Sequence, residues 1–417
     1  MTEPSSPLSA DKPETPGKGR FGALHGVRIL DLTTVVMGPA ATQILGDLGA
    51  EVIKVELPGG DSMRWIGPFR NEGEGMGPLF LQANRNKRSV VLDLKTKEGR
   101  DALLAIAADV DVLVSNIRPQ GMARLGLDYA TVSGINPTIV YCSAVGYGSE
   151  GPNAGQAVYD DLMQAASGLS GLFRSIDGAP RYAPVNLCDR VVGLYLVIAI
   201  TSALYHRQAT GEGQEVEVPM FETMAQFVLA DHIGGRAFVP PTGPMRYKRL
   251  MSRQRGPYAT RDGHLSLVVY TDAHWKAFSR MVGQPLLIDT DPRFHNQESR
   301  TQYAEDVGRF LADQLLARSN AEWIVLLRGA DIPVSPVNDV EDLFTDQHLQ
   351  AVDFFEEYEH PTQGTLKLTR FPVKFAKSPA SVRRLAPNLG AHTDEVLREI
   401  ARAEKPGAPV KNFPKQS

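Results

Sequence analysis

The run that begins at Val27 constrains this chain most: VRILDL, a Gly-Pro turn, AATQILGDLGA, then EVIKVE. The outer pieces are short, apolar and β-branched, whereas Ala41, Ile44, Leu45 and Leu48 recur at helical spacing and Gly49 stops the helix. Strand, helix, strand is a βαβ unit, and such a unit lays its strands side by side in a parallel sheet. The alternation continues through RSVVLDL, a helical run near Lys97–Ala108, DVLVSN, a further run ending near Gly134, and TIVYCSAVGYG. The fold class expected is α/β, with a Rossmann-like, doubly wound large domain.

Length calls for a second unit. A chain of 417 residues exceeds the size at which one hydrophobic core keeps growing. After Tyr159 the text turns helical, through DDLMQAASGLSGLF and RVVGLYLVIAITSALYHRQATG, and EVEVPMFETMAQFVL then gives a strand and a helix. The Pro-, Gly- and Arg-rich stretch VPPTGPMRYKRLMSRQRGPYATRDGH reads as a boundary or a functional loop. LSLVVY, TDAHWKAFSRMVG and AEWIVLLRGADIPVSPV make a smaller α+β domain, and a different segment begins near Val340.

With 44 basic and 48 acidic residues the chain has no global positive field, so no nucleic-acid partner is expected and any anionic ligand needs a local cluster. Cys142 and Cys188 are too few and too far apart for a disulfide framework, and no Cys/His spacing suggests a metal. A reducing, cytoplasmic location follows as the expectation. The first 20 residues lack the apolar core of a secretory signal and read as a disordered tail. The longest apolar stretch, Val191 to Leu204, is interrupted by Gly193, Tyr195, Thr201 and Ser202. It falls short of a membrane span and reads as a buried helix, so no membrane partner is expected.

Several constellations could carry chemistry, each with a plainer alternative. The turn Thr34–Pro39 sits where doubly wound folds bind ligands, at the carboxyl end of a strand, but a Gly-Pro pair also simply turns a chain. Arg85, Lys87 and Arg88 precede a strand and Lys95 follows it; such cations suit phosphate oxygens, or form a solvated loop. Asn116, Arg118 and Arg124 form a second strand-end cluster that could converge on the same anion. Asp189 opens a largely apolar helix, where it could cap backbone N–H groups or, poorly solvated, attack a carbonyl. Asp160 and Asp161 are adjacent on one helix, so at most one faces a site. No histidine lies between His25 and His206 and there is no G-x-S-x-G elbow, which argues against Ser-His-Asp chemistry.

Read together, GVRILDLTTVVMGPAATQILGDLGAEVIKVE, NRNKRSVVLDLK, VSNIRPQGMARLGLDY, NPTIVYCSAVGYGSEGP, VYDDLMQAASG, the segment from Cys188 to Tyr195, TGEGQEVEV and LGAHTDEVL resemble the CaiB/BaiF (class III) coenzyme-A transferases, from about Gly26 to about Ile400. The resemblance implies a large domain built from both chain ends, divided as tail 1–20, large domain 21–235, small domain with linkers 236–340 and return segment 341–417. It also implies two subunits threaded through each other as an interlocked homodimer. The implied reaction moves CoA from an acyl-CoA to a free carboxylic acid, with coenzyme A as substrate and no tightly bound cofactor. Asp189 aligns with the aspartate that carries the acyl group as a mixed anhydride and then CoA as a thioester. The implied CoA contacts are Val36 and Met37, Leu92, Asp93, Leu94 and Lys95, then Asn116, Ile117, Arg118 and Arg124, and finally Ala157, Val158 and Tyr159, with Asp160 as a secondary acid.

The chain departs from family members that carry Gln at Val36, Arg at Leu57 and Lys at Ala157. In place of a glycine-rich loop it has the basic segment Pro241–Tyr258, whose Arg246, Lys248, Arg249, Arg253 and Arg255 hint at a dicarboxylic acceptor. Two other functions fit less well. An α-methylacyl-CoA racemase needs a His where Tyr159 stands, and a non-catalytic CoA-binding protein would use Asp189 only as a cap.

Overall fold

The computed structural model describes residues 22–403, so the tail expected over 1–20 lies outside the described residues. Six strands, β1 (Arg28–Leu32), β2 (Glu51–Glu56), β3 (Lys87–Val91), β4 (Val112–Ser115), β5 (Val140–Val145) and β6 (Gln214–Pro219), form an all-parallel sheet in the order β3-β2-β1-β4-β5-β6. The connecting helices are α1 (Met37–Asp47), α2 (Pro78–Ala83), α3 (Lys97–Ala107), α4 (Pro119–Leu125), α5 (Tyr129–Ile135), α6 (Asp160–Ala166), α7 (Leu169–Asp177) and α8 (Leu187–Thr210). The strand order reverses direction between β1 and β4, and doubly wound sheets open their ligand crevice at that switch, beyond the carboxyl ends of the strands.

Each strand is covered on both sides, so alternate residues feed two cores. Ile29, Val52, Val112 and Val140 pack with Ala41 and Leu45 of α1 and with Val192, Leu196 and Ile200 of α8. Leu30, Ile53, Leu113 and Tyr141 point the other way, against Leu103 and Ile106 of α3, Met122 and Val132. At 24 residues α8 is long and apolar enough to cross a bilayer by length and composition, a longer element than the apolar stretch alone defined. One of its faces, through Cys188, Val192, Leu196 and Ile200, lies in the first core instead.

The chain returns to the edge of this sheet after Ala351. The amide of Asn86 donates to the Arg384 carbonyl at 2.8 Å, and that of His392 to Ser89 at 2.9 Å. Arg88 pairs with Glu395 and Glu399 of the last described helix, Thr393–Ala403.

Two compact units result. Among the described residues, one holds 22–166, Ala183–Met224 and 351–403, and the other holds Ser167–Tyr182 and Ala225–Gln350. The division read from sequence, at 235 and 340, differs from these limits. The observed limit between Met224 and Ala225 falls inside the continuous helix Met220–His232, where no Pro or Gly breaks the pattern. The second unit has its own core, with Trp275, Phe278, Phe294 and Trp323 beside an antiparallel sheet of Tyr258–Ala259, His264–Leu267 and Val334–Pro336.

Candidate functional site

The crevice at the switch point is built on a left-handed turn. Val35 has φ 72°, a conformation that costs a β-branched residue of order 1–3 kcal/mol. The side chains of Asp61 and Asn116 hold it there. The Val35 amide donates to Asp61 at 3.2 Å, and the Asn116 side chain bonds both the amide and the carbonyl of Thr34, at 3.0 and 2.9 Å. Asn116 therefore spends its amide on the turn, and Ile117 directs its N–H to Ser115 Oγ at 3.0 Å. Beneath the turn lies a buried charge network. Lys54 Nζ reaches the Thr33 carbonyl at 2.7 Å and Asp61 at 3.0 Å, and Lys87 Nζ reaches Asp31 at 3.1 Å. Burial pushes the Asp31 carboxyl up, yet Lys87, Lys54 and the hydroxyls of Thr33 and Thr42 hold it at about 2. Burial draws Lys87 down to about 8, so both remain charged at neutral pH.

This network corrects one reading of the basic run. Arg85, Lys87 and Arg88 are neither phosphate ligands nor a solvated loop; all three are buried and pair with Asp47, Asp31 and Glu51. Lys87 and Arg88 begin β3 and Arg85 lies just before it, at the end of the sheet away from the crevice, where a phosphate at the carboxyl edge is out of reach. The carboxyl ends of β3 and β4 carry three exposed cations instead, Lys95, Arg118 and Arg124, and none has an ion-pair partner among the described residues. Arg118 sits at the N-cap of α4 and Arg124 in its last turn. Leu92 and Leu94 are committed to the second core, while Asp93 is exposed and receives the Lys95 amide at 3.0 Å. Val36 and Met37 are buried at the start of α1, so it is their backbone that borders the crevice. Val158 packs against the first core, and Ala157 and Tyr159 are exposed.

Asp189 is the third residue of α8 and is half-buried. One turn further on, a Cβ at Gly193 would stand 3.0 Å from the Met37 carbonyl, so glycine lets α8 press against the start of α1. Residues four apart share a helix face, which puts Asp189 beside the Val36–Met37 turn. No hydrogen bond to the Asp189 carboxylate, capping or otherwise, occurs among the described residues, and the helix start has no side-chain cap. Burial and the negative charge of Asp160 push its carboxyl up to about 6 against the pull of Arg190. The neighbouring Cys188 thiol is driven up to about 12 by burial and by the surrounding acids, so it offers no thiolate at neutral pH.

Asp160 is buried and Asp161 exposed, as adjacent positions on α6 require. Sequence reading passed over Gln164, which is fully buried and fixes the approach to α8: it accepts from the Ala183 amide at 2.8 Å and donates to Asp160 at 2.6 Å. A lone Gln on an otherwise buried face of an amphipathic helix was the available signal. His206, the first histidine after His25, lies 17 positions beyond Asp189 on the same helix, about 25 Å away at 1.5 Å per residue. Neither α6 nor the start of α8 therefore supplies an imidazole to pair with Asp160 or Asp189. In the second unit, a cavity of about 260 Å³ is lined by Arg249, Gln254, Arg255, Tyr258 and the buried Arg300.

The doubly wound sheet thus carries a half-buried carboxylate near its switch point and, along its carboxyl edge, exposed cations with no ion-pair partner among the described residues. The sequence profile of CoA-transferase family III matches residues 24–393, and the chain belongs to that family, the CaiB/BaiF or class III CoA-transferases. It is 33% identical to a succinate–glutarate CoA-transferase of Agrobacterium fabrum over 93% of this chain and 98% of the relative. It is likewise 33% identical to a succinyl-CoA:glutarate CoA-transferase of Mus musculus, over 92% of this chain and 87% of the relative. A crystal structure of a CaiB/BaiF family protein from Brucella suis superimposes with a TM-score of 0.76 at 30% identity, covering 91% of this chain and all of that one.

Proposed function

We propose that this enzyme transfers CoA from an acyl-CoA to a dicarboxylic acid, with Asp189 as the covalent carrier. The observation that carries this reading is the half-buried Asp189 carboxylate, free of hydrogen bonds from the described residues, beside the switch-point turn. An Asp189 oxygen attacks the thioester carbonyl carbon; the C–S bond breaks and the CoA thiolate leaves with the electron pair, giving a mixed anhydride. The thiolate then attacks the Asp189 carbonyl carbon, expels the donor acid as a carboxylate and leaves an aspartyl-CoA thioester. The acceptor carboxylate repeats both steps in reverse. Each step conserves the thioester's energy only if water is kept out, which suits a carboxylate held against the apolar start of α8.

CoA lies along the carboxyl edge of the sheet in this reading. Backbone groups of Val36, Met37 and Ile117 border it, Asp93, Lys95, Arg118 and Arg124 meet its polar part, and Ala157, Val158 and Tyr159 close the far side, with Leu92, Leu94 and Asn116 shaping the walls. A dicarboxylic acceptor is supported by the succinate and glutarate enzymes among the relatives. Incubation of the protein with succinyl-CoA and glutarate, followed by mass spectrometry, is expected to yield glutaryl-CoA. Arg118→Gln and Arg124→Gln are each expected to raise KM for the acyl-CoA about fivefold, equivalent to about 1 kcal/mol, with kcat little changed. Absence of exchange with every dicarboxylate tried would remove the acceptor assignment, and an unmoved KM in both variants would remove the phosphate assignment.

The protein acts as an interlocked homodimer. Leu194, Ile198 and Tyr205 are 53%, 58% and 75% exposed and recur at helical spacing along α8, an apolar stripe that a second subunit would cover. Light scattering is expected to give twice the 45.5 kDa chain mass even at nanomolar dilution, because linked rings cannot separate without unfolding; a 45.5 kDa species would contradict it.

A further inference from the structure

The start of α8 lacks a cap of its own. Its N-cap residue, Asn186, contributes no side-chain hydrogen bond, and the first-turn amide of Asp189 is satisfied from another helix, by Asp160 Oδ1 of α6 at 2.9 Å. The other oxygen of Asp160 accepts from Gln164 Nε2 at 2.6 Å, and Gln164 in turn reaches the Ala183 and Val185 carbonyls at 3.5 and 3.3 Å. Asp160 is thus buried and held at both oxygens, with its carboxylate against the backbone of the residue proposed to carry the acyl group.

A neutral acceptor such as Asn or Ser would cap the amide as well. What the carboxylate adds is a fixed negative charge that opposes the negative charge of Asp189. The other groups around Asp189 do little to cancel it. Its own helix brings Arg190, which is exposed, and the Cys188 thiol; Asp161 on α6 points to solvent; and what α1 and β5 add to the shared core, Met37, Ala41, Leu45, Val140, Ala144 and the Cys142 thiol, carries no charged side chain. Burial first, and then the charge of Asp160 crowding it, hold the resting Asp189 carboxyl at about 6 against the pull of Arg190. Acylation removes that crowding. When Asp189 attacks the thioester its negative charge passes to the departing sulfur, and in the aspartyl-CoA thioester the side chain is neutral.

We propose that Asp160 is a positioning residue that also drives the chemistry: held by Gln164 and by the Asp189 amide, its buried charge destabilises the resting Asp189 carboxylate and so favours the acylated forms. The inference rests on Asp189 being the covalent carrier. It differs from a secondary-acid role, since Asp160 neither gives nor takes a proton. Its effect is expected in two quantities that a purely structural contact would leave alone, the acidic limb of the pH–rate profile and the standing amount of covalent intermediate.

The test uses the full-length protein, Asp160→Asn, Asp160→Glu and Arg190→Gln, with succinyl-CoA as the probe donor. In the wild type, kcat/KM is expected to rise with pH through about 6 as Asp189 ionises, and intact mass spectrometry should find a CoA adduct on the Asp189 peptide. Asp160→Asn should move the acidic limb down by about one unit and reduce adduct occupancy at equilibrium by about tenfold, the factor one pKa unit represents. Asp160→Glu, which keeps the charge, should restore most of both. Arg190→Gln alters an exposed side chain and should move the limb up, so it reports on the same electrostatics if Asp160→Asn does not fold. An unmoved limb in every folded variant, with adduct occupancy equal to the wild type, would overturn the inference while leaving Asp189 as carrier. Absence of any adduct in the wild type would overturn both.

Discussion

Asp189→Asn is expected to abolish transfer, with kcat lower by at least about 10³-fold, while the folded enzyme still binds CoA. An amide oxygen is too weak a nucleophile to open a thioester, and no other group stands ready: Cys188 holds its proton at neutral pH, and Asp160 is occupied at both oxygens. Fold should survive because the backbone amide of residue 189, not its side chain, makes the contact to Asp160. Relief of the repulsion with Asp160 should if anything raise the thermal midpoint. Hydroxylamine added during wild-type turnover would convert an Asp189 anhydride or thioester into a hydroxamate that mass spectrometry finds on the peptide spanning Asp189. Near-normal kcat in a folded Asp189→Asn protein would end the covalent proposal. Lost activity with lost CoA binding would instead mean that Asp189 builds the site rather than reacting in it.

The parallel sheet was legible because its strands are short, largely apolar, β-branched runs and its helices keep a 3.6-residue period, and the order of βαβ units leaves few topologies. Asp189 was legible as a residue but not as a role. A carboxylate near a helix start is a cap or a reactive group depending on what its oxygens touch, and that depends on α6, almost thirty residues away. The buried network was passed over although its mark was present. Lys54 in EVIKVE and Asp31 in RILDL are charges inside strands covered on both faces, and they sit opposite each other in register. A charge in such a strand requires a partner, which is reason to search the next strand for one. The basic run at Arg85–Arg88 was misread for a related cause: composition records cations, whereas only the direction of β3 tells which end of the sheet they occupy.

Lys87→Met should be the most destabilising single change in the sheet, by about 3–5 kcal/mol, because it leaves a buried carboxylate without its ion-pair partner. Lys87 is fully buried and bonds Asp31, the Pro39 carbonyl and Asn84 at 3.1, 3.0 and 2.9 Å, so methionine fills the space but satisfies none of them. The pH dependence gives the cause. In the wild type Asp31 titrates at about 2, below its unfolded value, so its contribution is present above the unfolded pKa and lost only as pH falls toward 2. Without Lys87, burial is opposed by Lys54 and the two threonines alone, and the folded pKa should rise above the unfolded one. A raised folded pKa contributes stability below the unfolded value that is lost as pH rises, so the deficit of Lys87→Met against wild type in urea unfolding should shrink between pH 7 and pH 5. Replacing both partners, as Asp31→Leu with Lys87→Met, should cost less than the sum of the single changes, since no charge is then left unpaired. A deficit constant with pH, or fully additive single changes, would mean that Lys87 stabilises the sheet by packing and not by holding Asp31. The Val35 turn reports the same event from the crevice. It hangs from Asp61 and Asn116 above this network, so the variant should also lose CoA affinity at temperatures where the sheet is still folded.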